Sequence, residues 1–363
     1  MQKGMSILWI VYFHLFRDTQ PSPAVDPIAP DLVGRLLAAC SDVRAIDRIA
    51  CLARGTASAV TLCGFHAVHV FLVIAGFGLA RSLGEAASPS GGWIAWYRKR
   101  LLRLYPMYWA AHLILLVSLL RRVYDPIDYR FLISLTGLRV WPIDTIHLYF
   151  NPAWWYFTLL VELYAAFPVL WWLRTRLGPT GLAALTLAGT AATRWICYFV
   201  LPVSSHWAEG ALFLGRMSEF GLGMAVGVWH RRDALATESR LFHAPLVVAG
   251  AAIYLVGLAS YRSAIGYCFT DALIGYGLFA VTANVARLVA ESRFLLRLFA
   301  TVGAYSYGLY LLHQPYVMYA GPRFASFATP VYALAATALV ATLTLGSMAI
   351  ERAVARITER VLG

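Results

Sequence analysis

About ten apolar runs, each bounded by charge or proline, constrain this chain more than any other feature. They lie near 4–17, 60–80, 105–120, 153–173, 180–201, 210–229, 244–260, 268–288, 303–320 and 330–350. In hydrocarbon each backbone amide must find its partner within the chain, so these runs are expected to cross a bilayer as helices. Only 13% of the 363 residues are charged, where soluble domains carry about 25%. The expected fold is an all-α polytopic membrane protein with about ten transmembrane helices. It reads as one membrane domain over residues 1–363, with an extracytoplasmic loop near 18–58 and no soluble C-terminal domain. The first run looks clipped: Pro21 and Pro23 stop a helix soon after Arg17. That leaves about 20 Å at 1.5 Å per residue against about 30 Å of hydrocarbon. No small-residue cleavage site follows this run, so it is not expected to be a removed signal peptide.

The charges are sorted by side. With ten segments, Arg81, the cluster Arg98, Lys99, Arg100 and Arg103, the pairs Arg174 with Arg176 and Arg231 with Arg232, and Arg287 to Arg297 fall on one face. By the positive-inside rule that face, and with it both termini, is expected to be cytoplasmic, in a cell or inner membrane. The opposite face receives the 18–58 loop, the 121–152 loop and the stretch from Pro202 to Glu209. A net charge of +12 would suggest nucleic acid in a soluble protein. Here arginines at span ends account for it, and no nucleic-acid motif accompanies them. Five cysteines form no CxxC. Cys40 and Cys51 share the 18–58 loop and can pair if that loop faces an oxidising compartment.

The stretch WYRKRLLRLYPMYW, Trp96 to Trp109, sets four cations among aromatic residues. Arg100 and Arg103 are three apart, share a helix face, and can close their guanidinium forks on one phosphate-rich ligand. The plainer reading is a topology signal. His14 stands eleven residues after Lys3, about 16 Å along a helix and well into the membrane. An imidazole there either satisfies an interhelical hydrogen bond or serves as a general base. Glu162 follows Trp154, Trp155 and Tyr156 into a buried stretch, where a carboxylate is either a structural partner or part of a site. Glu219 and Asp271 lie nearer to run ends and read as structural, and Arg194 is expected to snorkel to the interface. His66 and His69 are three apart, but no acid or cysteine at matched spacing supports a metal. Ser306, Tyr307 and His313 lie near a late helix start, with structural hydrogen bonding as the default.

Five of these segments, in order, resemble the acyltransferase-3 family of multipass membrane acyltransferases, which includes bacterial O-antigen and polysaccharide O-acetyltransferases. KGMSILWIVYFH is similar to the opening motif, through Lys3 and His14. VHVFLVIAGF is similar to the second-helix pattern, through Phe71, Ala75, Gly76 and Phe77. RKRLLRLYP resembles the cytoplasmic RxxR, through Arg100 and Arg103. WWYFTLLVELYAAFP matches through Trp155, Glu162, Tyr164 and Pro168, and SYGLYLLHQP through Ser306, Tyr307, Tyr310 and His313. The resemblance covers essentially the whole chain. One departure is Ala75, where the family often has serine, which excludes a serine nucleophile at that position.

The resemblance implies transfer of an acyl group, most often acetyl from acetyl-CoA, to a hydroxyl of a carbohydrate or glycolipid acceptor. Acyl-CoA is then a donor substrate, no metal is implied, and membrane lipids surround the chain. His14 and Glu162 become the catalytic candidates. Arg100, Arg103 and Lys3 become the donor-binding ones, and Trp155, Tyr307, His313 and His69 the acceptor-binding ones. A secondary transporter or flippase would also place His and Glu in spans. Against it stand the absence of a paired hydropathy repeat and a cytoplasmic RxxR with no transport purpose. A catalytically dead scaffold is the third reading, opposed by the retained Lys3, His14, Arg100, Arg103 and Glu162.

Overall fold

The computed structural model describes residues 1–17, 28, 31–118 and 126–362, and the described residues form helices and turns with no strand. Of the expected outer loops, the stretch up to residue 30 (residue 28 apart) and residues 119–125 therefore lie outside the described residues. By length and apolarity, four helical stretches among the described residues can cross a membrane: Asp47–Leu83, Pro152–Val200, Ala264–Val289 and Pro330–Arg360. Two bent helix pairs raise that number to six. Each of the ten expected segments falls on helix, and the molecule is an all-α multi-pass membrane protein. The chain forms two compact units.

The first unit is Met1–Val68 with Arg297–Ile350. It holds α1 (Gln2–Arg17), α2 (Leu32–Ala39) and α3 (Ala45–Leu62), which leads into a 3₁₀ turn at Cys63–His66. From the far end of the chain come α13 (Arg293–Ala304), α14 (Ser306–Phe324) and α15 (Thr329–Leu362). Helix α1 buries Gly4, Ile7, Val11 and Leu15, a stripe at three- and four-residue spacing that is one helix face. Gly4 is required where it stands, because a Cβ there would lie inside the Phe299 carbonyl of α13. Trp9 Nε1 donates to the Val60 carbonyl of α3 at 2.8 Å. The expected 18–58 loop is therefore partly helical: Asp31 caps α2 by accepting from the Gly34 amide at 3.1 Å, and a disulfide joins Cys40 to Cys51.

The second unit is His69–Leu296 with Glu351–Gly363. It contains α4 (Ala67–Leu83), α5 (Gly92–Val117), α6 (Tyr129–Thr136), α7 (Ile143–Ile146) and α8 (Trp155–Trp195). It continues through α9 (Met217–Arg232), α10 (Ala234–Leu241), α11 (Ala244–Ser260) and α12 (Ala264–Val289). Its core joins Leu72 of α4, Trp96 of α5, Phe167 and Trp171 of α8, and Phe220 and Met224 of α9. Helix α8 breaks at Gly178, whose φ of 72° and ψ of 172° are non-helical, and Pro179 follows. That break divides one 41-residue element into the two runs expected near 153–173 and 180–201. Helix α5 runs unbroken through Pro106, so the basic stretch and the apolar run after it are one helix.

Small residues set the closest helix contacts in this unit. A Cβ at Gly76 of α4 would occupy the Phe220 carbonyl of α9, and one at Gly223 would occupy the Val73 carbonyl of α4. Gly223 and Gly227 are four apart and give α9 a flat strip, the device by which membrane helices bring backbones together. The glycine of the second-helix motif is thus a packing residue. Between α8 and α9 the chain is irregular, with a π-helical turn at Ile196–Val200, a second at Trp207–Ala211 and a 3₁₀ turn at Phe213–Arg216.

Candidate active site

In the first unit α1 packs against α14, and this brings His14 to His313. Their ring centroids are 5.3 Å apart with the planes inclined by 43°. His313 is fully buried. Its Nδ1 lies 3.1 Å from the Leu309 carbonyl and 2.9 Å from the Tyr310 carbonyl, one helical turn back. Both are acceptors, so Nδ1 carries the proton in the neutral ring and Nε2 carries the lone pair. That Nε2, and the Nδ1 of half-buried His14, are shielded from solvent without a hydrogen-bond partner. Buried polar atoms are nearly always bonded, so two such imidazole nitrogens on adjoining rings make this pair a candidate site. Tyr307, on the same α14, is half-buried, and Lys3 is an exposed residue of α1 beside Gly303.

In the second unit the donor candidates stand on α5. Arg103 is exposed and Arg100 half-buried. The Arg100 guanidinium lies over the Trp96 ring, 5.4 Å from its centroid, and its Nε has no hydrogen-bond partner among the described residues. Trp96 is stacked on Phe167 of α8 at 5.2 Å. Tyr97 donates to the Ala165 carbonyl of α8 at 2.9 Å, and Tyr164 of that helix is close enough to interact with both arginines. Arg100 is therefore seated on Trp96, which is itself stacked on α8, and Arg103 stands exposed on the same helix.

Glu162 accepts from the Phe213 amide at 2.7 Å and so anchors the irregular stretch before α9. The Trp155 ring is taken up by that same stretch. A Cβ at Gly210, where φ is 145°, would come within 2.6 Å of it, and the Arg216 guanidinium stands 5.7 Å from its centroid.

His69 belongs to a buried ionic cluster. Its Nδ1 donates to Glu219 at 3.0 Å, and Ser218 Oγ donates to the other oxygen of that carboxylate at 2.5 Å. Arg216 Nη1 passes the same His69 atom at 3.1 Å. A nitrogen that donates to Glu219 cannot also accept, so Arg216 Nη1 is directed to Glu219 and Asp271, while its Nε donates to the Glu209 carbonyl at 3.1 Å. Arg194 also donates to Asp271, and to the Tyr267 carbonyl at 3.3 Å. This corrects the expectation that Arg194 snorkels: it is 2% exposed, because α12 offers it a carboxylate inside the unit and water is not needed. Arg216 and this pairing are what sequence reasoning missed. The available signal was two acids and two arginines in apolar runs, a set that balances in charge.

In the stretch before α8, His147 follows α7 and stacks on His206, their centroids 4.7 Å apart. Burial, with His206 and Arg139 nearby, pushes the His147 imidazole down to about 3. Among the described residues no three His, Cys, Asp or Glu side chains converge as metal ligands.

No curated protein and no solved structure matches the chain. The profile of the acyltransferase-3 family, described as an acyltransferase domain, matches residues 2–352. The chain belongs to the acyltransferase-3 family of membrane acyltransferases.

Proposed function

We propose that this protein moves an acyl group, acetyl in the first instance, from acyl-CoA to a hydroxyl of a carbohydrate or glycolipid acceptor. The observation that supports the catalytic assignment is the ring contact of His14 with His313, in which His14 Nδ1 is buried with no hydrogen-bond partner among the described residues. A structural histidine would have this nitrogen bonded within the packed helices, whereas a general base needs one nitrogen to take a proton and the other available to be held as N–H. In the direct form of the reaction His14 takes the proton of the attacking hydroxyl. A C–O bond forms at the thioester carbonyl, the C–S bond breaks, and the coenzyme thiolate recovers the proton from the imidazolium. Arg100 and Arg103 grip the coenzyme phosphates by charge-assisted bonds. Lys3 adds a further cation for the donor. Glu162 holds the stretch before α9, and Trp155, Tyr307, His313 and His69 serve the acceptor side by contact or by supporting the residues that make it. No metal takes part in this scheme. The donor is met from the cytoplasm, where the cationic clusters lie, and both termini are on that side of the cell membrane.

The test is His14→Ala, assayed by incorporation of radiolabelled acetate from acetyl-CoA into surface carbohydrate by membrane vesicles of cells carrying the protein. Transfer should fall by about two to four orders of magnitude with expression and insertion unchanged. Native rates in the variant would leave His14 a structural residue.

A further inference from the structure

We propose that His313 is the positioning partner of His14, holding its imidazole in the tautomer that leaves Nε2 as the base. The inference rests on the catalytic reading of His14 and adds a second residue to it. Three observations on the pair point this way. The proton of His313 is committed to Nδ1 by the two carbonyls of its own helix. The lone pair on its Nε2 is therefore presented inside the unit, where no donor among the described residues meets it. The adjoining ring, 5.3 Å away between centroids, has an equally shielded and unpartnered Nδ1.

An imidazole lone pair beside an imidazole nitrogen has one stable arrangement: N–H of the second ring donates to the first. Facing nitrogens at this ring spacing reach hydrogen-bond distance, about 3 Å, by rotation of the His14 ring about its broad terminal torsion. With His14 donating through Nδ1, its own lone pair is confined to Nε2, the atom that then takes the acceptor proton. His313 plays the part that a carboxylate plays beside a catalytic histidine, but without a charge, which a site inside the bilayer would otherwise have to neutralise. His313 neither gains nor loses a proton over the cycle. It receives a hydrogen bond, and that bond strengthens while His14 is an imidazolium. The tight fit of the Leu309 and Tyr310 carbonyls on Nδ1 matters because it removes the alternative tautomer, in which His313 would present N–H to His14 and force the lone pair of His14 toward it.

The test compares His313→Leu, which keeps an apolar side chain of similar reach without an acceptor, with His313→Gln, which places a carbonyl oxygen near the position of Nε2. Both are assayed in membrane vesicles with radiolabelled acetyl-CoA, and folding is checked by size exclusion and thermal melting in detergent. His313→Leu should lower kcat by at least about tenfold with the KM for acetyl-CoA unchanged, and His313→Gln should recover most of the loss. Native kcat in His313→Leu, or a folded His313→Gln no better than the leucine variant, overturns the assignment. His14→Gln is run alongside. If that variant keeps native kcat the base reading itself is wrong. If it is inactive while His313→Leu is native, only the partnership is wrong. A measurement on the unmutated protein covers variants that fail to fold: solid-state nitrogen NMR of histidine-labelled protein, with the His14 signals identified by their loss in His14→Gln. A proton on His14 Nδ1 is expected, and an Nε2–H tautomer overturns the proposal.

Discussion

At the scale of single residues, Arg100 and Arg103 separate two uses of the same charge. A topology signal needs only cations beside a span. The structure gives Arg100 more than that, with an aromatic seat on Trp96 and an Nε that has no hydrogen-bond partner among the described residues. If the pair grips coenzyme phosphates, Arg100→Ala and Arg103→Ala should each raise the acetyl-CoA KM about tenfold or more, the value of a charge-assisted hydrogen bond. Lysine should rescue only in part, because the planar fork is lost. Rates measured across a range of acetyl-CoA concentrations decide this, and an unchanged KM returns both residues to topology. Lys3, His14, Arg100, Arg103 and Glu162 were all visible as residues out of keeping with an apolar run. The partner each one finds was not visible, because His14 and His313 are separated by 299 positions, and chain distance of that size carries no pairing information.

At the scale of elements, the cluster of His69, Arg194, Arg216, Glu219 and Asp271 joins α4, α8, α9 and α12 and the 3₁₀ turn before α9. Two guanidinium groups and two carboxylates are removed from water together, which is tolerable only while the set stays balanced. Asp271→Asn should therefore destabilise the protein by about 3–5 kcal/mol, the range for breaking one side of a buried pair. Asp271→Leu combined with Arg194→Leu should recover much of that loss, since Arg216 still faces Glu219. Thermal unfolding in detergent distinguishes the two, and a single variant as stable as the native chain would show that the cluster is hydrated. The glycine strip of α9 belongs to the same scale. Gly223 and Gly227 let α4 approach, so Glu219 on α9 reaches His69 on α4. Helical periodicity locates such elements, but which glycine meets which backbone depends on rotations about helix axes that no local pattern specifies.

At the scale of the whole molecule, the proposed function depends on which regions face the cytoplasm. With ten segments the cationic clusters are expected on one face. The disulfide between Cys40 and Cys51 belongs to the α2–α3 region, and such bonds persist in oxidising compartments. On the proposed topology the arginine cluster of α5 is cytoplasmic and the α2–α3 region external. Lys99→Cys should react with a membrane-impermeant thiol reagent only after permeabilisation, and Arg35→Cys on α2 should react on intact cells. The reverse pattern would turn the arginine pair away from the cytoplasmic donor. The sequence by itself determined the all-helical membrane class, the positions of the long apolar helices and the family, because hydropathy, charge at run ends and short motifs are local properties. Tertiary structure alone decided that Arg194 is buried and paired, that Glu162 anchors the stretch before α9, and that two histidines from opposite ends of the chain stand ring to ring. Each of those depends on which helices are neighbours and which faces they turn to one another, and the free energy that selects those neighbours is spread over the whole packed unit.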